Sequence, residues 1–259
     1  MLHLTPILLL THLSLMYSGG NGNIKGMLLD LSSLKSVKKF SSELLKQYDS
    51  IDVLINNAGI MALENREETV DGFEMQIGTN HFGHYYLTLL LHPKMSKNGR
   101  IINHSSSAHY FAKDRFEVND LMSKESYSPW VAYGNSKLAN LLFTFEFNQR
   151  LKKHKKEVIA VAVHPGYTAT NLQTGRFPFH NIANSLFAMN VREGSLSQIY
   201  AAVDPRVTAS VNTFIGPQFG IFGVPAVTDV SAAAKRRKSQ FDLWEISHKL
   251  IYGKRATQP

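Results

Sequence analysis

Short apolar runs recur along this chain at 24–30, 51–56, 100–105 and 158–163, and each is followed by a segment whose apolar residues return with helical period. A strand open to solvent on one face alternates apolar and polar residues, whereas a run without alternation reads as a strand covered on both faces. Strands of that kind, separated by helices, pair in parallel through right-handed crossovers. The sequence therefore predicts an α/β fold, a doubly wound parallel sheet of Rossmann type. The predicted elements are a strand at 24–30, a helix at 33–48, a strand at 51–56, a helix at about 70–97, a strand at 100–105, a helix at 129–153, a strand at 158–163, helices across 173–203, a short strand at 212–215 and a helix at 240–251. Gly19, Gly20, Asn21, Gly22 and Asn23 make a turn ahead of Ile24, so 1–23 reads as an atypical N-terminal segment and 24–259 as a single domain.

Composition narrows the function classes. With 44% hydrophobic and 19% charged residues, the chain is neither disordered nor collagen-like, and with no cysteine it has no disulfides or thiolate metal sites. The formal charge of +8 raises the question of nucleic acid, but nine of the 28 basic residues sit in two runs, at 150–156 and 235–238. The remaining 19 face 20 acidic residues, so the body of the chain is close to neutral. A nucleic-acid footprint needs a basic stripe with interleaved aromatics, and the first run instead ends a long helical segment, where cations are favoured. No nucleic-acid partner is expected. The apolar start, 1–17, has no Lys or Arg ahead of it and no small-residue cleavage site, and Thr11 and His12 interrupt it well short of the ~20 residues that span a bilayer. A cytoplasmic protein is expected, with membrane association as the alternative.

In sheets of this class, ligands bind at the carboxyl ends of the strands. Tyr133 and Lys137 lie four apart near the start of the 129–153 helix, which Ser128 and Pro129 introduce. A phenol of ordinary pKa ~10 is a poor acid at neutral pH, and a neighbouring ammonium is expected to bring it toward the working range. The strand at 100–105 runs into Ser105, Ser106 and Ser107, hydroxyls suited either to a carbonyl oxygen or only to a turn. The strand at 51–56 ends in Asn56, Asn57, Ala58 and Gly59, where small residues let backbone approach a flat ligand. Asn80 sits inside an apolar helical segment, where it needs a polar partner. His81, His84, His104, His109 and His164 surround these motifs without a carboxylate or cysteine cluster, and read as polar packing residues, so no metal is expected. Tyr85, Tyr86, Phe143, Phe145 and Phe147 read as core, and Phe111, Trp130, Tyr167, Phe177 and Phe179 as substrate contacts.

N-N-A-G at 56–59, N-H-x-G at 80–83, the serine cluster at 105–107, Y-x-x-x-K at 133–137 and H-P-G-x-x-x-T at 164–170 resemble, in order and spacing, the short-chain dehydrogenases/reductases. The stretch between Ser106 and Tyr133, the S-K-L-A-N at 136–140 and the tail Leu243-Trp244-Glu245-Ile246-Ser247 resemble the retinol-dehydrogenase and protochlorophyllide-reductase-like branch. The resemblance implies Tyr133 as general acid and base, Lys137 as its pKa tuner and a ribose ligand, Ser106 as the group polarising the carbonyl, with Ser105 and Ser107 as alternatives, and Asn80 as holder of a relay water. It implies Asp30 and Leu31 on the adenine side of the cofactor, Asn57, Ala58 and Gly59 beside the adenosine and ribose, and Pro165, Gly166, Thr168 and Thr170 beside the nicotinamide and phosphates. The implied cofactor is NADP, with NAD as the alternative, the substrate is an apolar carbonyl or alcohol, and the helices 70–97 and 129–153 are the expected homodimer interface.

One family motif is absent. The T-G-x-x-x-G-x-G turn, which would precede Asp30 by a strand, a helix and another strand, does not occur in the 29 residues ahead of it. Such a turn supplies amide donors to the pyrophosphate. The N-terminal strand-helix unit therefore reads as truncated or replaced. Two functions follow: a nicotinamide-dependent oxidoreductase, or a catalytically impaired remnant with weak cofactor binding that acts through protein contacts.

Overall fold

The structure, a computed structural model, describes residues 24–112, 120–166, 191–208 and 213–253. Among them, one sheet runs in the order β1 (Ile51–Asn56), β2 (Met95–His104), β3 (Ile159–Val163), β4 (Phe214–Pro217) and β5 (Pro225–Val227). The first three pairings are parallel and the last is antiparallel. The fold is thus Rossmann-like and dominated by parallel strands. The remaining elements, in chain order, are α1 (Leu34–Gln47), α2 (Met75–Ile77), a π-helical turn (Gly78–Phe82), α3 (Gly83–Leu91), two short 3₁₀ turns (His92–Lys94 and Ser107–Phe111), α4 (Pro129–Lys153), α5 (Val191–Gly194), α6 (Leu196–Val203), α7 (Ala232–Lys235) and α8 (Arg237–Tyr252).

Successive strand residues point to opposite faces, and helices cover both. Ile101 and Ala160 pack with Phe143 and Phe147 of α4, and Ala162 and Phe214 with Leu138 and Leu141. Ile102, Val161, Val163 and Ile215 pack instead with Ala201 of α6. Helix α4 is buried almost all round. Its outer side meets α7 and α8 of the same chain, where Trp244 stacks on Phe143 and Phe147 and Leu243 joins Leu138, Leu142 and Phe145. Helices α7 and α8 of the same chain thus cover this side of α4.

Helix α1 and α4 lie within a residue of their predicted bounds. Ser33 caps α1 by accepting from the Ser36 N–H, whereas Ser128 occupies the N-cap position of α4 without a side-chain bond, and Pro129 supplies the start. The predicted helix at 70–97 is a correction. It begins at Met75, contains the π-turn, and yields to β2 at Met95. Pairing with β1 jumps from Met95 to Arg100, and Asn98 has φ +62° in the bulge, so the regular ladder starts where the sequence put the strand.

The predicted strand at 24–30 is a second correction: those residues form no strand. They run along α1, with Lys25 bonded to Gln47 and the Asp30 N–H to Ser36 Oγ at 3.0 Å. A strand needs a partner for its backbone groups, and among the described residues 24–30 has none. Among the described residues strand β1 has β2 on one side only, and its Val53 and Ile55 are 37% and 41% exposed on the face where Ile102 and Val161 are fully buried. Further along, β4 is shifted two residues from the predicted 212–215, α8 begins three residues earlier than expected, and β5 was not predicted; residues 173–190 lie outside the described residues.

The two basic runs differ in setting. Arg150, Lys152 and Lys153 end α4, where the helix dipole favours them. Lys235 to Lys238 straddle the start of α8, which the dipole disfavours, and acidic partners offset this: Lys235 pairs with Asp229, Arg237 with Glu146 and Lys238 with Asp242.

Candidate active site

The loops after β1 and β2 and the first turns of α4 meet at one edge of the sheet. Gly134 allows the closest of these approaches. A Cβ there would stand 2.7 Å from Ala108 O and 3.0 Å from Ala112 N, so only glycine lets the 3₁₀ turn after β2 lie on α4. That contact brings the serine cluster to Tyr133. Ser105 Oγ is spent on the Lys137 carbonyl at 2.8 Å, and Ser107 Oγ lies 3.5 Å from His164 Nδ1. Ser106 caps the 3₁₀ turn, accepting from the Ala108 N–H at 3.1 Å, and its side chain draws the Tyr133 phenol down. Of the three serines, Ser106 is the one that faces Tyr133.

Tyr133 is buried, and burial pushes its phenol up to about 12 against the opposing pull of Ser106. The expectation that Lys137 would bring this phenol down is not met. The Lys137 ammonium lies 5.6 Å from the centre of the Tyr133 ring, burial governs the phenol, and the pull that opposes burial comes from Ser106 rather than from Lys137. At neutral pH the phenol therefore holds its proton. Lys137 is also buried, which lowers it to about 8. Its Nζ donates to the His104 carbonyl at 3.4 Å, and no acidic side chain pairs with it among the described residues.

Asn80, at the centre of the π-turn, is fully buried and fully engaged. Its Oδ1 accepts from the Ile60 N–H at 2.8 Å, and its Nδ2 donates to Ile60 O and Ser136 Oγ, both at 2.9 Å. Ser136 in turn donates to the Tyr133 carbonyl at 2.7 Å. The side chain thus ties the loop after β1 to α4. Asn57 and Ala58 are exposed at the carboxyl end of β1, and Gly59 lies against the lysine, where an added Cβ would stand 3.1 Å from Asn80 Oδ1 and 3.4 Å from Lys137 Nζ.

Asp30 closes a turn by accepting from the Ser32 N–H and hydroxyl. Leu31 packs its backbone on Gly83, where a Cβ would come within 2.3 Å of Leu31 O. Gly166, following Pro165 at the end of β3, has φ +73° and lies under the Ile221 carbonyl of the β4–β5 connection. Thr168 and Thr170, with Tyr167, Phe177 and Phe179, lie outside the described residues. Phe111 and Trp130 form a ring contact at 6.1 Å, and Trp130 and Tyr133 another at the same distance.

Asn56 was read in the sequence only as part of a strand end, and Thr88, Asn103 and Thr144 were not singled out there. Asn56 Nδ2 donates to Thr88 and Asn103, Asn103 to Thr144, and Asn140 to the same His104 carbonyl that Lys137 reaches. This buried polar ladder joins β1, β2 and α4, and only the polar residues inside apolar runs hinted at it. The histidines have separate bonds: His81 to Ser247, His84 to the Asn80 carbonyl, His104 to Gln198, and His109 to the Ser106 carbonyl and the Ser231 N–H.

Among the described residues the buried Lys137 ammonium has one long carbonyl contact, and with the bare Gly59 backbone and the Tyr133 phenol beside it the place suits a flat, hydroxyl-bearing ligand; a nicotinamide ribose fits that donor set. Fold and site together define a dinucleotide-dependent oxidoreductase layout. The short chain dehydrogenase family model matches residues 14–180. Retinol dehydrogenase 14 of Mus musculus is 37% identical over 243 residues, covering 90% of this chain and 69% of that protein. Retinol dehydrogenase 11 of Homo sapiens is 34% identical over 236 residues, covering 90% and 70%. A crystal structure of an uncharacterized protein from Mycobacterium paratuberculosis superposes with a TM-score of 0.72 at 39% identity, over 89% of this chain and 76% of that one. The chain belongs to the short-chain dehydrogenase family, in its retinol-dehydrogenase-like branch. That family uses nicotinamide cofactors, and the comparisons lend nothing to the alternative of an impaired remnant.

Proposed function

We propose that this chain transfers hydride between NADP and an apolar alcohol–carbonyl pair, with retinol and retinaldehyde as the first pair to test because its relatives carry that name. What supports the reading is the Tyr133 phenol, drawn down by Ser106, with the buried Lys137 ammonium 5.6 Å from its ring centre. A bound nicotinamide supplies or accepts the hydride. Asp30 and Leu31 on the adenine side, Asn57, Ala58 and Gly59 at the end of β1, Lys137 and Tyr133 at the ribose, and Pro165, Gly166, Thr168 and Thr170 at the nicotinamide end would hold it. The preference for NADP rests on the family resemblance and is tested by titrating both cofactors.

Negative charge grows on the carbonyl oxygen during reduction, and two hydroxyl donors aimed at it, Ser106 Oγ and Tyr133 Oη, stabilise that charge. Tyr133 then gives its proton to the oxygen. A phenol raised to about 12 is fully loaded for this step at neutral pH, and Ser106, which draws the phenol down, stabilises the phenolate left behind. Asn80 keeps the Gly59 loop against the lysine. Phe111 and Trp130 offer an apolar wall for the substrate. A cytoplasmic location, with membrane association as the alternative, belongs to the same proposal. Among the described residues no helix is long and apolar enough to cross a membrane.

Tyr133→Phe removes only the phenolic oxygen. It is expected to abolish NADPH-dependent retinaldehyde reduction while NADPH affinity, read from tryptophan fluorescence, changes less than about threefold. Undiminished turnover in Tyr133→Phe would overturn the assignment.

A further inference from the structure

Helix α3 opens on the π-turn Gly78–Phe82, a geometry of well under 1% of residues that recurs at functional sites. One turn beyond Asn80, His84 folds back so that its Nδ1 stands 3.0 Å from the Asn80 carbonyl oxygen. A carbonyl oxygen only accepts, so Nδ1 carries the hydrogen and, in the neutral ring, Nε2 carries none. His84 is 4% exposed. Burial, aided by the charge of Lys137 and opposed by the bond to Asn80, pulls it down to about 4. His81 and His104, the other titratable groups that interact with His84, are held neutral by burial in the same way. The Lys137 ammonium therefore has uncharged rings around it at neutral pH.

The polar atoms of Asn80 beyond its N–H reach three different parts of the fold. The carboxamide is held by Ile60 in the loop after β1 and by Ser136 on α4, and the carbonyl by His84 on α3. Losing the His84 bond removes the side-chain hold on this carbonyl and lets the π-turn relax toward an ordinary helix. Asn80 would then turn away from Ile60, and the Gly59 backbone would leave Lys137.

We propose that His84 is a positioning residue of this site: its Nδ1–H holds the Asn80 carbonyl, and with it the π-turn that aims Asn80 at Ile60 and Ser136, while placing no second cation beside Lys137. The proposal rests on the reading of Tyr133 and Lys137 given above, and its test has one arm independent of that reading.

Two substitutions separate bonding from bulk. His84→Asn keeps an N–H donor close to the position of Nδ1 and cannot become a cation, whereas His84→Leu keeps volume alone. With NADPH and retinaldehyde, His84→Leu is expected to lower kcat about tenfold or more with KM for the aldehyde within about twofold, and His84→Asn to recover to within about threefold of the parent. The proposal is overturned if His84→Leu retains kcat, or if both variants lose it equally. The second arm needs neither cofactor nor turnover. Nitrogen NMR of the histidine rings in the free protein at neutral pH should report His84 as the Nδ1–H tautomer, and an Nε2–H or doubly protonated ring overturns the proposal. Absence of turnover in the parent protein alongside an Nδ1–H His84 would count against the oxidoreductase reading and leave the placement of His84 standing.

Discussion

Burying an ammonium without a counter-charge costs free energy, and Lys137 shows that cost at a single residue. Its folded value of about 8 lies below the ordinary 10.5 because burial disfavours the charged form. Between those values the unfolded chain binds more protons than the folded one, so stability rises with pH through that window; below about 8 the folded protein carries the whole penalty. The shift corresponds to roughly 3 kcal/mol. Lys137→Met should therefore stabilise the cofactor-free protein at neutral pH by up to ~3 kcal/mol and flatten the slope of stability between about pH 8 and 10.5, while removing reductase activity. Urea unfolding at two pH values reads both effects, and an unchanged slope would mean that the ammonium is solvated. The lysine and Tyr133 were legible in the sequence because four-residue spacing on a helix fixes a shared face. The choice among Ser105, Ser106 and Ser107 was not decided by the residues alone, since adjacent residues leaving a strand differ in direction, and direction depends on the contact at Gly134.

At the scale of elements, that contact is the most exposed to test. Glycine inside a helix costs roughly 1 kcal/mol relative to alanine, so Gly134 in the second turn of a long helix calls for a reason, and the reason is the backbone of the 3₁₀ turn lying on it. Gly134→Ala gains propensity but meets Ala108 O at 2.7 Å and Ala112 N at 3.0 Å, both backbone atoms that cannot swing aside. We expect a net loss of about 1–3 kcal/mol and a fall in kcat as Ser106 is pushed from Tyr133, with the aldehyde KM and melting temperature measured alongside. A variant more stable than the parent would show that the turn moves freely. Helix α4 was read correctly to the residue because Ser128 and Pro129 mark its start and basic residues its end. The helix assigned to 70–97 was too long because a π-turn keeps the apolar period while changing the backbone, and because a bulge at 96–99 hides the start of β2. The strand at 24–30 failed for a different reason: an apolar run has strand character only when a neighbour takes its hydrogen bonds.

At the scale of the whole molecule, the sheet buries imidazoles as readily as aliphatic side chains, and this makes acid the solvent change to which the fold should be most sensitive. His81 and His104 are pulled by burial to about 3, and His84 and His164 to about 4, from an ordinary 6.5. Each folded value is depressed, so the unfolded chain takes up protons below about pH 6.5 that the folded chain refuses until about pH 4. Stability is complete above that upper value and is lost as pH falls through the window. Four such groups give a limiting slope of roughly 5 kcal/mol per pH unit, against a total stability of about 5–15 kcal/mol for an ordinary domain. The protein should therefore unfold between about pH 6 and 4, well before its carboxylates titrate fully. The rings are held by different partners, Ser247 for His81, Asn80 for His84, Gln198 for His104 and Phe214, by stacking, for His164. Their proton uptake should thus be coupled through global unfolding rather than through one local opening. Urea midpoints followed from pH 7 to 5 should fall steeply, and His104→Gln should reduce the slope by about one proton's worth, roughly 1.4 kcal/mol per pH unit. A midpoint that stays level across that range would show that these histidines are reached by water in the folded state, and with that the closed, uncharged surroundings assigned to Lys137 would fail as well.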